Sequence, residues 1–167
     1  VIDALSSYAI YQKGLIDRPV VSVDRIDTFI KAKPPHLWAY YCTVQALEVP
    51  NRFIAMPSSR NRILGMLLYY FDIEGFLHWG FNFYNTQYSV AHIDPYRVTD
   101  AGAAFPSGDP FLVYPAPDGT AYESIRGVIL QKALNDFRAL QLLEQKVGRK
   151  RVVQLLQRLV GRTLSFC

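Results

Sequence analysis

Trp79 and the polar residues that follow it are the side chains of this sequence best suited to bind a ligand. An indole ring can pack on the C–H face of a sugar, and its N–H can donate to a hydroxyl. Gly80 comes next and would leave open space beside the ring. Asn82, Tyr84 and Asn85 carry amides and a phenol, which donate and accept hydrogen bonds. The alternatives are a core tryptophan and polar residues that only cap a loop.

A second aromatic group, Trp38, Tyr40 and Tyr41, falls in another predicted strand. Side chains alternate along a strand, so Trp38 and Tyr40 should point to one side and Tyr41 to the other. One side should face covering helices and the other the interior of a barrel. Tyr40 or Tyr41 could orient a carbonyl group of a ligand, with core packing as the alternative role for at least one of them.

Three aspartates are further candidates for contacts with a ligand. Asp109 lies in a long polar stretch, residues 85–110, and could bind hydroxyl groups or hold the turn before Pro110. Asp24 and Asp27 follow a short apolar run, where they could contact a ligand or start a helix.

The sequence predicts no metal site and no cofactor. The three histidines, His36, His78 and His92, lack the spacing of metal ligands. Because His78 directly precedes Trp79, strand alternation would send it to the opposite face, in a structural role.

Short apolar runs alternate with helical periodicity, which predicts an α/β fold. Ser124 should cap the longest helix, with Arg126 in its first turn seeking a carboxylate partner. Four strands are too few for a closed eight-stranded barrel, so the domain is an open sheet or part of a barrel. The predicted strands cover residues 19–23, 36–42, 76–84 and 111–114. The predicted helices cover residues 4–13, 24–31, 58–75 and 124–146. A last helix lies in a basic C-terminal segment, residues 149–167.

Several motifs in a fixed order resemble one family. They are Gly-Phe-Leu-x-Trp at residues 75–79, Gly-Asp-x-Phe-Leu-Val-Tyr-Pro at residues 108–115, and Ser-Ile-Arg at residues 124–126. Together they resemble the glycoside-hydrolase-like domain of unknown function 4091, which is related to the β-N-acetylgalactosaminidases of glycoside hydrolase family 123. The resemblance covers nearly the whole chain.

This resemblance implies a (β/α)8 barrel of the TIM type, of which residues 1–167 would be a single C-terminal portion with residues 149–167 packed on it. It also implies a neighbouring Asp-Glu pair. One acid orients the substrate's 2-acetamido group, whose oxygen attacks the anomeric carbon, and the other protonates the leaving oxygen. The implied substrates are N-acetylhexosaminides, hydrolysed with retention.

The sequence contains no adjacent Asp-Glu pair. In the family the pair precedes the segment that resembles residues 1–6, so we expect it upstream of residue 1. The parent protein would be the glycosidase, and this chain, inactive alone, would bind the substrate. The alternative is a noncatalytic carbohydrate-binding or structural module. The predicted substrate-binding residues are Trp79, Asn82, Tyr84, Asn85, Tyr40, Trp38 and Asp109.

Composition limits the classes of partner that the protein is expected to bind. The net charge of +4 is modest and concentrated near the C-terminus, which does not indicate nucleic-acid binding. No apolar run is long enough to span a membrane. Two cysteines fit a reducing compartment, which favours the cytoplasm, although the localisation stays open. A partial barrel would expose a strand edge, so we expect self-association or pairing with the missing N-terminal half of the barrel.

Overall fold

A four-stranded parallel sheet, with its strands side by side in chain order, forms the centre of the protein. In the computed structural model, which describes residues 1–46, 48–161 and 164–166, every neighbouring pair is parallel. Parallel neighbours need a crossover, and each connection here contains helix. The strands are β1 (Ile2–Leu5), β2 (Arg18–Ser22), β3 (Trp38–Tyr40) and β4 (Gly75–Leu77); the connecting helices are α1 (Tyr8–Tyr11), α2 (Asp27–Ala32), α3 (Ser58–Arg62) and α4 (Leu64–Tyr70).

The two faces of the sheet have different surroundings. Leu5, Val21 and Ala39 lie on the helix face and belong to one buried cluster with α2 and α4. Val20, Ser22, Trp38, Tyr40 and Leu77 alternate with them and form what we name the open face. At its edge strand, Leu77 remains 40% exposed. The helices therefore cover one face, whereas on the open face Val20 and Ser22 are buried and exposure increases toward the edge strand β4.

Two long segments follow the sheet. A hairpin of β5 (Val113–Pro115) and β6 (Ala121–Glu123) leads into α5 (Ile125–Val147), and α6 (Arg149–Val160) comes after it. Ser124 Oγ accepts a hydrogen bond from the Gly127 N–H at 3.2 Å, which caps α5. Gly148, with a φ of 80°, separates the two helices. Within the described residues, no helix has the length and apolar character needed to cross a membrane.

The amphipathic helix α6 packs on the domain through Val152 and Leu156, which are buried in the core cluster. Its basic residues Arg151 and Arg158 are exposed. Arg162 and Cys167, which the sequence analysis places in the same C-terminal segment, lie outside the described residues.

The predicted element boundaries need correction at the start of the chain. The helix predicted over residues 4–13 is wrong there, because residues 2–5 pair with β2 and only Tyr8–Tyr11 is helical. The helix predicted over residues 24–31 begins at Asp27.

Two predicted strands also differ from the structure. The strand predicted over residues 76–84 stops at Leu77. It begins at Gly75, which the sequence predicts to end the preceding helix. Beyond Leu77 the backbone bonds to an approaching loop, with the Leu112 N–H donating to the Phe81 oxygen at 2.8 Å. The run at residues 111–114 contributes to an antiparallel hairpin and not to the parallel sheet.

Gly65 fixes how closely α4 and α5 approach. A Cβ at this position would overlap the carbonyl oxygen of Ala133 in α5. We expect Gly65→Ala to lower the free energy of unfolding by about 1–3 kcal/mol, because both helix backbones would have to move apart. Urea unfolding should show this loss, and the control Gly127→Ala in α5, whose Cβ would make only ordinary contacts at 3.8 and 3.9 Å, should show less. Equal losses in the two variants would contradict this packing.

Candidate ligand site at the carboxyl edge of the sheet

A fully buried carboxylate lies under Trp79. Asp109 is 0% exposed, and its Oδ2 accepts a hydrogen bond from Trp79 Nε1 at 2.8 Å. Its Oδ1 lies 3.1 Å from His78 Nε2. The two residues that directly follow β4 thus share one aspartate from the long loop. We name Asp109, His78 and Trp79 the aspartate clamp.

The hydrogen bonds of His78 define its tautomer. The Gly80 N–H donates to His78 Nδ1 at 3.0 Å, so the ring proton resides on Nε2 and donates to Asp109. Burial lowers the pKa of His78 below its usual value, although the bond to Asp109 acts in the opposite direction. The ring is therefore neutral at pH 7.

This arrangement corrects the expectation that His78 points away from Trp79. Both side chains reach Asp109, because the strand ends at Leu77 and the alternation of a strand does not continue through them. Gly80 also has a different role from the one expected. A Cβ there would lie 2.6 Å from the Pro110 oxygen and 2.7 Å from the Asp109 oxygen, so the glycine admits the loop backbone and not a ligand.

Two buried arginines hold the loop that carries Asp109. Arg52, 2% exposed, donates through Nη2 to the Gly80 oxygen and, at 3.0 Å, to the Asp109 oxygen. Arg126 donates through Nη1 to the Gly108 oxygen and, at 2.8 Å, to the Phe111 oxygen. Within the described residues Arg126 therefore bonds backbone carbonyls and forms no ion pair, so the predicted carboxylate partner is wrong.

The Arg52 guanidinium keeps its charge in this position. Burial lowers its pKa to about 10, and nearby Asp109 opposes that shift. A cation is thus present at neutral pH beside the loop carbonyls, where a charged donor makes stronger hydrogen bonds than a neutral one.

The hydrogen bond to Asp109 fixes one edge of the Trp79 ring, and part of the residue is exposed to solvent. Its ring forms T-shaped pairs with Phe83 and Phe105, each with centroids 5.2 Å apart, and lies nearly parallel to the His78 ring at 6.3 Å, yet the residue remains 40% exposed. From the sequence we expect the indole N–H to bond a ligand hydroxyl. Because this N–H already donates to Asp109, it is not free to do so. What Trp79 can offer a ligand is the exposed part of its ring.

The other residues predicted on this segment lie farther along the loop. Asn82 is exposed and pairs with Phe111 in an isolated antiparallel bridge. Tyr84 is half-buried, and its hydroxyl donates to the Val113 oxygen at 2.8 Å. Asn85 forms a second bridge with His92. These contacts hold this part of the loop in place. Of the three residues, Asn82 is the exposed one.

The residues of β3 are divided between the two ends of the sheet. Tyr40 ends β3 in register with Leu77, two residues before Trp79, so it reaches the same edge. Trp38 begins the strand against Gly75, with the Arg18 guanidinium 5.8 Å from its ring centroid. Trp38 is therefore the predicted site residue that lies toward the opposite end.

Tyr41 belongs to the core and not to the site. It is 0% exposed, and its hydroxyl donates to Asn61 Oδ1 at 3.1 Å. Asn61 Nδ2 in turn donates to the Arg126 oxygen at 3.0 Å. Burial raises the pKa of Tyr41, so its phenol stays protonated.

Sequence reasoning missed Arg52, and it predicted a structural role for His78 without its bond to Asp109. Arg52 stands in a Pro-Asn-Arg loop with no distinguishing pattern, and only the fold brings it to Asp109. No group of three or more His, Cys, Asp or Glu side chains in the part of the chain that the structure describes is placed to hold a metal ion.

These features define an α/β domain that gathers aromatic and polar groups at the carboxyl edge of a parallel sheet, where such folds bind their ligands. The fold is similar to that of a family 123 glycoside hydrolase from Clostridium perfringens, whose structural analysis addresses glycolipid glycan hydrolysis. The TM-score is 0.67 at 20% sequence identity, covering 95% of this chain and 28% of that one. The chain thus spans less than a third of that protein's length.

The sequence model of the glycoside hydrolase 123 catalytic domain matches residues 1–143. The chain belongs to this family of glycoside-hydrolase-like domains. No curated protein matches it. Assignment to domain of unknown function 4091 stays a prediction.

The buried neutral His78 makes stability depend on pH. Its pKa is lowered on folding, so below about pH 6.5 the unfolded chain binds a proton that the native ring resists. Stability is therefore retained above that pH and lost as the pH falls, by up to about 1.4 kcal/mol per unit for this group.

Urea unfolding at several pH values can isolate this effect. We expect His78→Gln, which keeps a donor toward Asp109, to be less stable than the original chain at pH 7.5. The difference should narrow toward pH 5.5, because only the original chain loses the contribution of a neutral imidazole. Parallel curves for the two proteins would contradict the assignment.

Proposed function

We propose that this chain supplies part of the sugar-binding surface of a glycoside hydrolase, with Trp79 as its stacking platform. The observation that carries the proposal is the state of Trp79, which is fixed by a buried carboxylate but left 40% exposed at the carboxyl edge of the sheet. A tryptophan needed only for the core would be covered. A fixed, exposed indole suits the C–H face of a pyranose ring.

We propose further that the sheet is part of a (β/α)8 barrel. Consecutive parallel strands with helices on one face are the repeating pattern of such a barrel, and the open face would be its interior. In these barrels the ligand site lies at the carboxyl ends of the strands, where Trp79 and Tyr40 occur.

In the proposed mechanism this chain binds and orients the sugar, and acids outside it handle the protons. No adjacent Asp-Glu pair occurs in the sequence. An upstream pair would orient the 2-acetamido group of an N-acetylhexosaminide and protonate the leaving oxygen. Trp79 would hold the ring against these groups, Asn82 and Tyr40 could bond its substituents, and a fixed ring favours reaction by proximity.

Asp109 has a positioning role in this proposal. Its carboxylate is fully buried and engaged by His78 and Trp79, so it acts on the sugar through the indole. Tyr84 and Asn85 would shape the loop, and Trp38 would pack below the site. Partners would include the carbohydrate substrate and either a second copy or the rest of the barrel along the exposed edge.

A noncatalytic carbohydrate-binding module is the second candidate, favoured by the lack of an adjacent acid pair in the sequence. It predicts sugar binding without hydrolysis by any longer protein that contains this chain. Incubating such a protein, and this chain, with a panel of 4-nitrophenyl glycosides that includes N-acetyl-β-hexosaminides separates the two candidates. Hydrolysis by the longer protein alone supports the first candidate.

Removing the indole should weaken sugar binding. We expect Trp79→Ala to raise the dissociation constant of the bound glycoside about tenfold or more, because about 1.4 kcal/mol of stacking and apolar contact corresponds to a factor of ten. Isothermal titration calorimetry measures this change. Tyr88→Ala removes a ring that is 87% exposed and should leave the affinity unchanged. Equal affinity in Trp79→Ala and the original chain would contradict the proposal.

A further inference from the structure

A polar network at the ends of β2 and β3 fixes one more carboxylate, that of Asp24. Ser22 Oγ donates to Asp24 Oδ1. Gln45 Nε2 donates to Ser22 Oγ at 2.8 Å and to Asp24 Oδ1 at 3.3 Å. The amide and the hydroxyl therefore converge on the same carboxylate oxygen.

The parts of this network are themselves held in place. Gln45 is 3% exposed, and its Oε1 accepts from the Cys42 N–H at 2.8 Å. Asn51, 0% exposed, donates to the Gln45 oxygen at 2.6 Å and to the Cys42 oxygen at 2.9 Å. The orientation of Asp24 is thus set by two buried amides before any ligand arrives.

The second oxygen of this carboxylate is left unused. Within the described part of the chain, Asp24 Oδ2 meets only the Nε of Arg25, at 3.7 Å, and the Arg25 side chain is 69% exposed. An exposed pair at that distance contributes little. A carboxylate oriented through Oδ1 and open at Oδ2 is a prepared hydrogen-bond acceptor.

The register places this acceptor at the same edge as Trp79. Ser22, Tyr40 and Leu77 lie side by side on the open face. Neighbouring strands are about 4.8 Å apart, so the ends of β2 and β4 are separated by roughly 10 Å. Asp24 follows Ser22 by two residues, and Trp79 follows Leu77 by two. The ends of the two strands that lead to Asp24 and Trp79 are therefore separated by a gap on the scale of one pyranose ring with its hydroxyl groups.

Tyr40 lies between the two residues as a donor. Burial raises the pKa of Tyr40, its hydrogen bond with the Ser22 side chain acts against that rise, and the charge of nearby Asp24 adds to it, so the phenol keeps its proton. The edge therefore presents an acceptor at β2, a donor at β3 and an aromatic face beyond β4.

We propose that Asp24 Oδ2 accepts hydrogen bonds from ring hydroxyls of the sugar that stacks on Trp79. This inference rests on the proposed function and deepens it. One carboxylate oxygen has lone pairs for two O–H donors, so the geometry favours pyranosides with two adjacent free hydroxyls on the edge that faces β2. A charged acceptor also makes each of these bonds stronger than a neutral one. Asp24 is thus a specificity-determining residue.

The matched test compares Asp24→Asn with Asp27→Asn. Asparagine keeps the shape and an oxygen for Ser22 and Gln45, but it puts an N–H₂ group where Oδ2 was. Of the two aspartates that follow β2, Asp27 is exposed in the first turn of α2 and within the described residues has no bond to Ser22 or Gln45, so it serves as the control. Calorimetry would measure binding of a methyl glycoside and of its analogues that each lack one ring hydroxyl, with thermal unfolding recorded for every variant.

We expect Asp24→Asn to lose about tenfold in affinity for the full glycoside and little for the analogue that lacks the contacted hydroxyl, while Asp27→Asn binds normally. The original chain should itself bind that analogue about tenfold less tightly. This second comparison keeps the inference testable if Asp24→Asn fails to fold.

Three results would overturn the inference. If Asp24→Asn binds the full glycoside normally while Trp79→Ala does not, Asp24 has no such role and the proposed function stands. If the original chain binds every deoxy analogue as tightly as the full glycoside, Asp24 accepts no hydrogen bond from a ring hydroxyl. If neither Asp24→Asn nor Trp79→Ala changes affinity, both the inference and the proposed function fail.

Discussion

The hydrogen bonds from Trp79 and His78 to the buried carboxylate of Asp109 are the interaction on which the account depends. A carboxylate without solvent contact is costly unless its oxygens are engaged, and here each oxygen accepts one ring N–H. The same bonds fix both rings. The clamp therefore meets a demand of folding and, at the same time, sets the direction of an exposed indole.

The clamp in turn requires a loop that is held without regular secondary structure. Carbonyls at residues 80, 108, 109 and 111 would lack partners in that loop, and Arg52 and Arg126 supply them. Gly80 lets the loop backbone approach closely. The carboxyl edge is thus built mostly from backbone contacts, and side chains such as Trp79 and Asp24 are left for a ligand.

Much of the fold could be predicted from the sequence because its signals are local. The apolar run of β2, the Ser124 cap of α5 and the break at Gly148 follow from patterning and backbone preferences. The end of β4 could not be predicted, since aromatic residues continue past Leu77 and only the contact with the loop of Asp109 ends the strand. The antiparallel pairing of residues 113–115 is equally nonlocal.

The candidate site could be predicted only in part, because its residue types are visible in the sequence but most of their contacts are distant along the chain. Trp79, Asp109 and Tyr40 carry visible chemistry, but their relations come from contacts 30 or more residues apart along the chain, such as Trp79 with Asp109. Alternation assigned His78 to the wrong face because it presumed a strand that had already ended. Arg52 bonds carbonyls, a role that any loop arginine could fill.

The indole N–H of Trp79 gives the most direct test of the clamp. Hydrogen exchange at this proton can be followed by nuclear magnetic resonance in the original chain and in Asp109→Ala, which removes both acceptor oxygens, with the Trp38 indole as the internal reference. We predict slow exchange in the original chain and a marked acceleration at Trp79 alone in the variant. Fast exchange at Trp79 in the original chain, or an unchanged rate in Asp109→Ala, would contradict the account.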